Sequence, residues 1–516
     1  MIRHYGPRTW DNVHFTKQAR LADLIDVDNS SAAGTQPTGF AVLKQTADTF
    51  ESLIADARQQ GIRMRGLGSG WALTDIACTD GWLINTKLLN GCFDLTDQYF
   101  DPSYPSARRQ LVALAQCGMS IGELNVYLER GQHSPIRRAM RTSGIGAGQT
   151  VAGAFSGNTH GAAVQFGSTP DIVVGIHLVT GTGQPLWIER ESYPVLNELF
   201  VSRLGARLLR SDEVFDAAVV SFGAFGLIAA VAIESEPIYQ LIFPPVERIG
   251  YGALATRLAE LARLDRFTPS EPYHYEFVFN PYDKDGVALA TSAVMVEYEE
   301  GHPAPEPMWI VRNEKGFALG ARTARIFLDA PLIRSEWKSA IEFTQYERRA
   351  ILGDIRATPG QLFTATITYL EGYNESALGI SINDAPAVIE IASDVIRRLD
   401  MPCICQVRLV HPSRGLLAFT GVPPKTAVFE WGISNDDRYP VLERTILQEL
   451  EAAGISYTLH WSKNSGIDPA TLDRMYGTER VNCWRAAREQ VFGRDKTLMR
   501  IFDNEQLVGA GLGTQP

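Results

Sequence analysis

"TSGIGAGQTVAGAFSGNTHG" occupies Thr142–Gly161. Six of its twenty residues are glycine, and only His160 can carry a charge. Glycine admits positive φ and lets a ligand approach the main chain closely. The stretch is therefore either a ligand cradle or a string of turns, and the rest of the chain has to decide. Its glycines (144, 146, 148, 153, 157 and 161) are interleaved with Ser143, Gln149, Thr150, Ser156, Asn158 and Thr159. A polar, flat, glycine-lined surface suits a large planar ligand with a phosphate tail, whose edge hydroxyls and amides can bond.

Helices and strands alternate around it. In "TADTFESLIADARQQG" Thr46 is expected to cap a helix whose inner stripe is Phe50, Leu53, Ile54 and Ala57, with Gly61 as its stop. "IRMR" (62–65) and "WLINT" (82–86) read as strands, and "SIGELNVYLERG" (120–131) as a helix capped by Ser120. After Ile62–Arg65 comes a second glycine loop, Gly66-Leu67-Gly68-Ser69-Gly70, either an anion-binding nest of backbone N–H groups or a plain turn. Its spacing is neither G-x-G-x-x-G nor a Walker loop. "FGAFGLIAAVAIE" (222–234) is a glycine turn leading into a buried strand.

Near residue 236 the texture changes. "EPIYQLIFPPVERI" carries three prolines and leaves the alternating pattern. Beyond it come longer alternating strands: "YHYEFVFN" (273–280), "LFTATITYL" (362–370), "CICQVRLVH" (403–411) and "AVFEWGI" (427–433). Helices such as "APAVIEIASDVIRRL" (385–399) lie between them, which predicts a large mixed or antiparallel sheet backed by helices. The last forty residues return to helical, polar segments, with Asp468-Pro469 as a helix start.

A chain of 516 residues exceeds one hydrophobic core, so several domains are expected. A net charge of −11 with no basic cluster argues against nucleic acid. No apolar run of membrane-spanning length and no signal-peptide core is present, so a cytoplasmic protein without membrane association is expected. The six cysteines are scattered, which predicts neither a disulfide framework nor a metal site.

Arg65–Thr74, "RGLGSGWALT", resembles the pyrophosphate loop of FAD oxidoreductases of the vanillyl-alcohol oxidase / p-cresol methylhydroxylase superfamily. "GAGQTVAGAFSGNTHG" resembles that family's ribbon along the isoalloxazine, and "FGAFGLI" the segment at the adenine end. "HWSK" (460–463) and the tail "MYGTERVNCWRAAREQV…FDNEQL" resemble the aldonolactone, alditol and type II cholesterol oxidase subgroup. The resemblance implies an α+β fold: a two-part FAD-binding domain of the PCMH type and a cap with a large sheet. The expected division is 1–235 for FAD binding, 236–470 for substrate, and 471–516 returning to the first domain. The resemblance also implies FAD contacts from Arg65, Gly66, Leu67, Gly68, Ser69, Gly70, Trp71, Ser143, Gly148, Gln149 and Thr150, then from Gly153, Ser156, Gly157, Asn158, Thr159, His160, Gly161 and Ile228. His160 is read as a neighbour of the flavin edge or as a histidine that bonds its own loop.

Two departures from the family pattern stand out. Ser69 occupies the position where many relatives carry the histidine that bonds covalently to flavin. Cys78 and Cys117 do not match the cysteinyl pattern, so FAD is expected to be bound but not bonded. On the cap, relatives of the aldonolactone subgroup place a Glu-x-Arg pair facing the flavin; here the residues are Gln406-Val407-Arg408. Alternation puts Gln406 and Arg408 on one strand face. Arg408 is expected to stabilise developing negative charge, whereas Gln406 orients a hydroxyl but takes no proton. The base is expected at His460 or Glu430, and Lys463 is read as a pocket cation. Glu276 lies among aromatics.

The expected activity is hydride transfer from an alcohol-type carbon of a small substrate to flavin, with O2 or another acceptor downstream. The alternatives are a flavin-dependent oxidative cyclase and an FAD-binding protein without turnover. Tyr273, Tyr275, Phe277, Phe279, Phe363, Tyr369, Trp431 and Trp461 point either to a partly apolar substrate or to the core of the cap.

Overall fold

The computed structural model describes residues 1–29, 39–131, 134, 136–144, 146–264, 268, 270–302, 334–349, 355–363, 373–434, 436–464 and 466–515. The fold is α+β, and three sheets organise it. The first has four strands in the order Ile2–His4, Asp23–Val27, Trp82–Asn85, Met64–Leu67, with the last three mutually parallel. The second has six, in the order Arg207–Arg210, Leu186–Glu189, Val173–Val179, Leu227–Glu234, Val112–Gln116, Cys92–Asp94. Among the described residues the third has nine strands, all paired antiparallel, with His274–Phe279, Ile404–Val410 and Thr426–Ser434 adjacent at its centre.

Period-2 alternation divides the large sheet chemically. On one face Tyr275, Phe277, Phe279, Cys405, Val407, Phe429 and Trp431 join one core with the apolar stripes of Tyr251–Leu261, Ala385–Arg398 and Tyr439–Ala452. The opposite face carries His274, Glu276, Gln406, Arg408 and Glu430. This face is stitched to the end of the glycine stretch: Val164 N–H donates to Tyr273 O (2.9 Å) and Tyr275 N–H to Ala162 O (3.1 Å).

Several sequence expectations need correction. The first long helix spans Phe40–Gln60, so Thr46 lies inside it; its hydroxyl donates to Val42 O, and Gln116 Nε2 donates to it. The strand expected at 62–65 is Met64–Leu67, which takes Gly66 and Leu67 out of the loop. The proline-bearing segment from 236 does form strands, among them Tyr239–Phe243 and Glu247–Gly250. Leu362 ends a short helix, Pro359–Leu362, instead of opening a strand, and 364–370 lie outside the described residues. The glycine stretch is not a continuous ribbon either: Val151–Ser156 is a helix whose N-cap, Thr150, accepts from Gly153 N–H. Ser120 does cap its helix, Ile121–Arg130, with a reciprocal box to Glu123.

The carboxy-terminal helices pack on the first half of the chain. Thr478–Val491 lies against Asp212–Ala218, and Lys496–Ile501 against Phe40–Gln60. Among the described residues no helix is long and apolar enough to cross a membrane.

Candidate active site

Both glycine loops meet. Ser69 Oγ donates to Gly148 O at 2.5 Å. A Cβ on Gly68 would lie 2.2 Å from Thr150 Oγ1, and one on Gly146 would lie 2.7 Å from the Trp71 ring. The turn carrying His460–Lys463 docks on the same place: Leu73 N–H donates to Ser462 O (2.7 Å) and Thr74 Oγ1 to Trp461 O (2.8 Å). Trp461 is buried against Phe222, ring centroids 4.4 Å apart, which ties this turn to the glycine turn before Ile228. Ile228 itself is a partly buried residue of Leu227–Glu234.

Two buried polar atoms of the glycine stretch, Gln149 Oε1 and Ser156 Oγ, have no hydrogen-bond partner among the described residues. A buried polar atom normally has one. With the close-packed glycines these atoms fit a polar, flat group that brings its own donors and acceptors, as an isoalloxazine does. Gly153 belongs to the short helix and Gly157 is its C-cap, with Ser462 Oγ 3.2 Å from the position of a Cβ on Gly157. Ser143 Oγ donates to Gly144 O, and Thr159 and Gly161 pack against Gly144 and Ser143.

Two residues expected to touch the cofactor are committed elsewhere. The Arg65 guanidinium is buried and donates to the carbonyls of Phe222, Ile76 and Phe502 (the last at 3.1 Å). Burial, then the neighbouring Arg488, lowers its pKa to about 10. It points inward because its strand position faces the core, so its side chain ties three segments together instead of holding a phosphate. Asn158 is wholly buried at φ 58°, with its amide bonded to Ser168 Oγ (3.0 Å) and Thr420 Oγ1 (3.1 Å). It braces the loop from within.

The polar face of the large sheet holds an ion-paired cluster. Arg408 Nε lies 2.6 Å from Glu430 Oε2, while Lys463 Nζ lies 2.5 Å from Glu430 Oε1 and 2.9 Å from Glu375 Oε1. Gln406 Nε2 donates to Glu276 Oε2 at 2.9 Å. In register Arg408 stands opposite Glu276, and Gln406 opposite Glu430. The two side chains of the central strand therefore reach diagonally in opposite senses, each pinning a glutamate of a flanking strand. The carboxylate missing from the 406 position is present on both neighbours. Burial works to raise the Glu430 carboxyl, but Arg408 and then Lys463 hold it well below the usual carboxylate range. Burial works to lower Lys463, and Glu375 and Glu430 overcome it.

The histidines are neutral. Burial, then Arg408, lowers the His160 pKa to about 3, and burial with Lys463 pushes His460 well below its ordinary value. Their tautomers follow from their partners. His160 Nδ1 faces Gly161 O (3.1 Å), which only accepts, so Nδ1 carries the proton and Nε2 keeps its lone pair, 3.8 Å from Glu430 Oε1. His460 Nδ1 accepts from Ser462 N–H (3.1 Å), so its Nε2 carries the proton. His460 offers a donor, not a base. Phe419 packs against both rings, at 5.4 Å from His160 and 4.4 Å from His460.

The FAD binding domain family matches residues 39–189, which include both glycine loops. L-gulono-1,4-lactone dehydrogenase of Mycobacterium tuberculosis is 29% identical over 272 residues, 52% of this chain and 51% of the relative. D-arabinono-1,4-lactone oxidase of Eremothecium gossypii is 27% identical over 197 residues, 38% and 31%. The chain thus spans about half the length, or less, of the curated relatives it matches. Cholesterol oxidase of B. sterolicum superposes with a TM-score of 0.65 over 99% of this chain and 97% of that one, at 14% identity. For xylooligosaccharide oxidase of Myceliophthora thermophila C1 the score is 0.60, over 98% and 94%, at 10% identity.

The FAD binding domain match, the lactone oxidoreductase relatives and the oxidase-like fold all support the vanillyl-alcohol oxidase / p-cresol methylhydroxylase kind of flavoenzyme that the sequence resembles. The chain's cofactor is FAD.

In this flavoprotein the aromatic residues that suggested an apolar pocket belong to the packing. Tyr273, Tyr275, Phe277, Phe279, Phe363, Trp431 and Trp461 are all buried in core clusters, and Tyr369 lies outside the described residues. They alternate onto the helix-covered face or into the seams. Glu375 was missed in the sequence because it is one glutamate in an unremarkable strand. The alternation of "AVFEWGI" does single out Glu430 between Val428 and Gly432.

Gln406→Glu provides a test of the diagonal pairing. The new carboxylate would face Glu276, and two carboxylates sharing a site raise one pKa strongly. With both histidines neutral throughout, flavin reduction by the parent is expected to be level between pH 5 and 8. The variant is expected to gain an inflection there, read from stopped-flow rates across that range. A level variant profile would break the Gln406–Glu276 contact.

Proposed function

We propose that the protein is an FAD-dependent oxidase or dehydrogenase acting on an alcohol-type carbon of a small, hydroxyl-bearing substrate. The observation that carries this reading is the Arg408–Glu430–Lys463 cluster beside His160, where the large sheet meets the glycine stretch. When bound, FAD would supply a two-electron acceptor for a hydride, with O2 or another acceptor downstream.

The chain's own residues supply charge and position. Arg408 is a fixed cation on a water-poor face, and charge of this kind acts most strongly where negative charge develops in the transition state. Lys463 adds a second cation from the other side. Glu430 holds both in place and keeps the site from being purely cationic. Gln406 orients Glu276. His460 donates through Nε2, and the substrate's hydroxyl proton has its acceptor in His160 Nε2. An imidazole with a pKa of about 3 is a weak base, always unprotonated at neutral pH. General bases contribute most when their pKa lies near the working pH. The larger share of the acceleration therefore falls to Arg408. A charged, hydrogen-bonding face with its aromatics turned inward favours a polar substrate over a sterol-like one.

An anaerobic screen of flavin bleaching across polyols, aldonolactones, secondary alcohols and amines tests the proposal. Bleaching by a hydroxyl compound is expected, with peroxide release on aeration marking an oxidase. A holoprotein bleached by amines alone, or by none of the panel, would refute it.

We also expect FAD to be held without a covalent bond. The Ser69 hydroxyl is engaged with Gly148. Burial raises Cys78 to about 11 and Cys117 to about 12, so neither offers a thiolate. Acid precipitation should release the flavin to the supernatant. Yellow, flavin-bearing precipitate would show a linkage.

A further inference from the structure

The amino-terminal hairpin, Arg8–Asp11 paired with Gln18–Leu21, lays its tip over the first glycine loop. Asn12 fixes the tip from within: buried, it accepts at Oδ1 from Thr16 N–H (2.9 Å) and Lys17 N–H (3.0 Å), and donates through Nδ2 to Ala72 O (2.8 Å). Val13 N–H donates to Gly70 O (2.9 Å), and Lys17 Nζ lies 2.8 Å from Asp75 Oδ2. At the tip Phe15 is exposed with a left-handed φ of 55°, a strained backbone for a bulky residue, and His14 is turned inward. His14 is 9% exposed and stands edge-on to Trp71, ring centroids 6.4 Å apart. Trp71 is also the ring against which Gly146 of the glycine stretch packs. Burial, then the nearby Lys463 charge, lowers the His14 pKa, so the imidazole is neutral at neutral pH. His14 Nδ1 is buried and, like Gln149 Oε1 and Ser156 Oγ, has no hydrogen-bond partner among the described residues. A buried polar atom left unpaired is costly, and this one stands where the two glycine loops and the His460–Lys463 turn come together.

We propose that His14 is a cofactor-binding residue whose Nδ1–H donates a hydrogen bond to the heteroatom edge of the isoalloxazine and so raises the flavin's reduction potential. The inference rests on FAD as the cofactor and is independent of which substrate is oxidised. That edge offers carbonyl oxygens and unprotonated ring nitrogens against a single N–H, so donation is the matching role for the imidazole. Reduction places negative charge on the same edge, and a hydrogen bond to a charged acceptor is stronger than one to a neutral acceptor. His14 therefore holds reduced FAD more tightly than oxidised FAD, and by linkage that difference favours reduction.

The test uses the FAD-loaded protein without substrate. Midpoint potentials come from anaerobic dithionite titration against a reference dye, and FAD affinity from the flavin retained after serial dilution and ultrafiltration. His14→Phe keeps a ring against Trp71 and removes the nitrogen. It is expected to weaken binding of reduced FAD about tenfold more than that of oxidised FAD, which lowers the potential by about 30 mV for a two-electron couple. His14→Asn, whose amide nitrogen can stand close to the position of Nδ1, should recover most of that shift. Circular dichroism and the thermal midpoint confirm that the variants are folded. Should His14→Phe fail to fold, His14→Leu reads the same shift. A folded, FAD-loaded His14→Phe or His14→Leu protein at the parental potential overturns the contact. Equal falls in His14→Phe and His14→Asn overturn it as well, since ring packing and not the nitrogen would then set the potential. Weaker retention of FAD with an unmoved potential would make the imidazole an acceptor and overturn the donor assignment. The alcohol-oxidising reading stands or falls separately, in the bleaching screen, on which none of these titrations depends.

Discussion

Arg408→Met is expected to slow flavin reduction by roughly two to three orders of magnitude, the usual effect of removing a preorganised electrostatic stabiliser. The guanidinium lies on the polar face of the large sheet with its side chain 14% exposed, paired to Glu430. Burial works to lower its pKa, but Glu430 and Glu276 raise it, so it stays charged at every usable pH. Methionine fills similar volume and removes the charge. The variant also leaves Glu430 with Lys463 as its closest cation, and removing one partner of a buried pair typically costs about 3–5 kcal/mol. A lower thermal midpoint is therefore expected alongside the kinetic loss. Arg408→Lys separates the two effects: it keeps the charge without the two-pronged grip, and should recover part of the rate. FAD occupancy should change little, because the glycine loops lie on other elements. Stopped-flow reduction with a substrate from the bleaching screen gives the answer. Reduction by Arg408→Met at the parental rate would remove Arg408 from the chemistry.

Gly68→Val should yield folded protein largely without flavin. A Cβ at this position meets Thr150 at 2.2 Å from Oγ1, 3.3 Å from Cβ and 3.4 Å from Cγ2. Thr150 cannot swing aside freely, since its hydroxyl caps Val151–Ser156 by accepting from Gly153 N–H. The valine must therefore part the two glycine loops or uncap the helix, and either change disturbs the surface offered to FAD. The 450 nm to 280 nm absorbance ratio reports occupancy, and circular dichroism reports the fold. Full occupancy in a folded Gly68→Val protein would show that the junction of the loops is not the cofactor bed. Gly157→Val should be milder, as its nearest neighbours lie at 3.1 and 3.2 Å.

Much of the architecture was legible in local pattern. The glycine loops, the strand after Gly226, the Ser120 cap and the alternation of the cap strands are short-range signals, because turns, caps and pleats depend on residues a few positions apart. Alternation alone placed Gln406 and Arg408 on one face. It also allowed the aromatics either of two roles, and packing chose the core. The Thr46 cap failed because a buried threonine can bond back within a helix as readily as it can cap one.

By itself, then, the sequence determined where the two glycine-rich segments lie, that a large mixed or antiparallel sheet follows, and which residues of each strand share a face. Only the tertiary structure decided which strands are neighbours. Strand order brings Glu276 and Glu430 to either side of Gln406 and Arg408, across 130 and 22 residues of chain. It also sets the histidine tautomers through Gly161 and Ser462, and turns Arg65 inward to three carbonyls. The physical reason is that side-chain direction along a strand is a local consequence of the pleat. Pairing, register and the partners of a buried charge come from contacts between residues far apart in the chain, which no local pattern encodes.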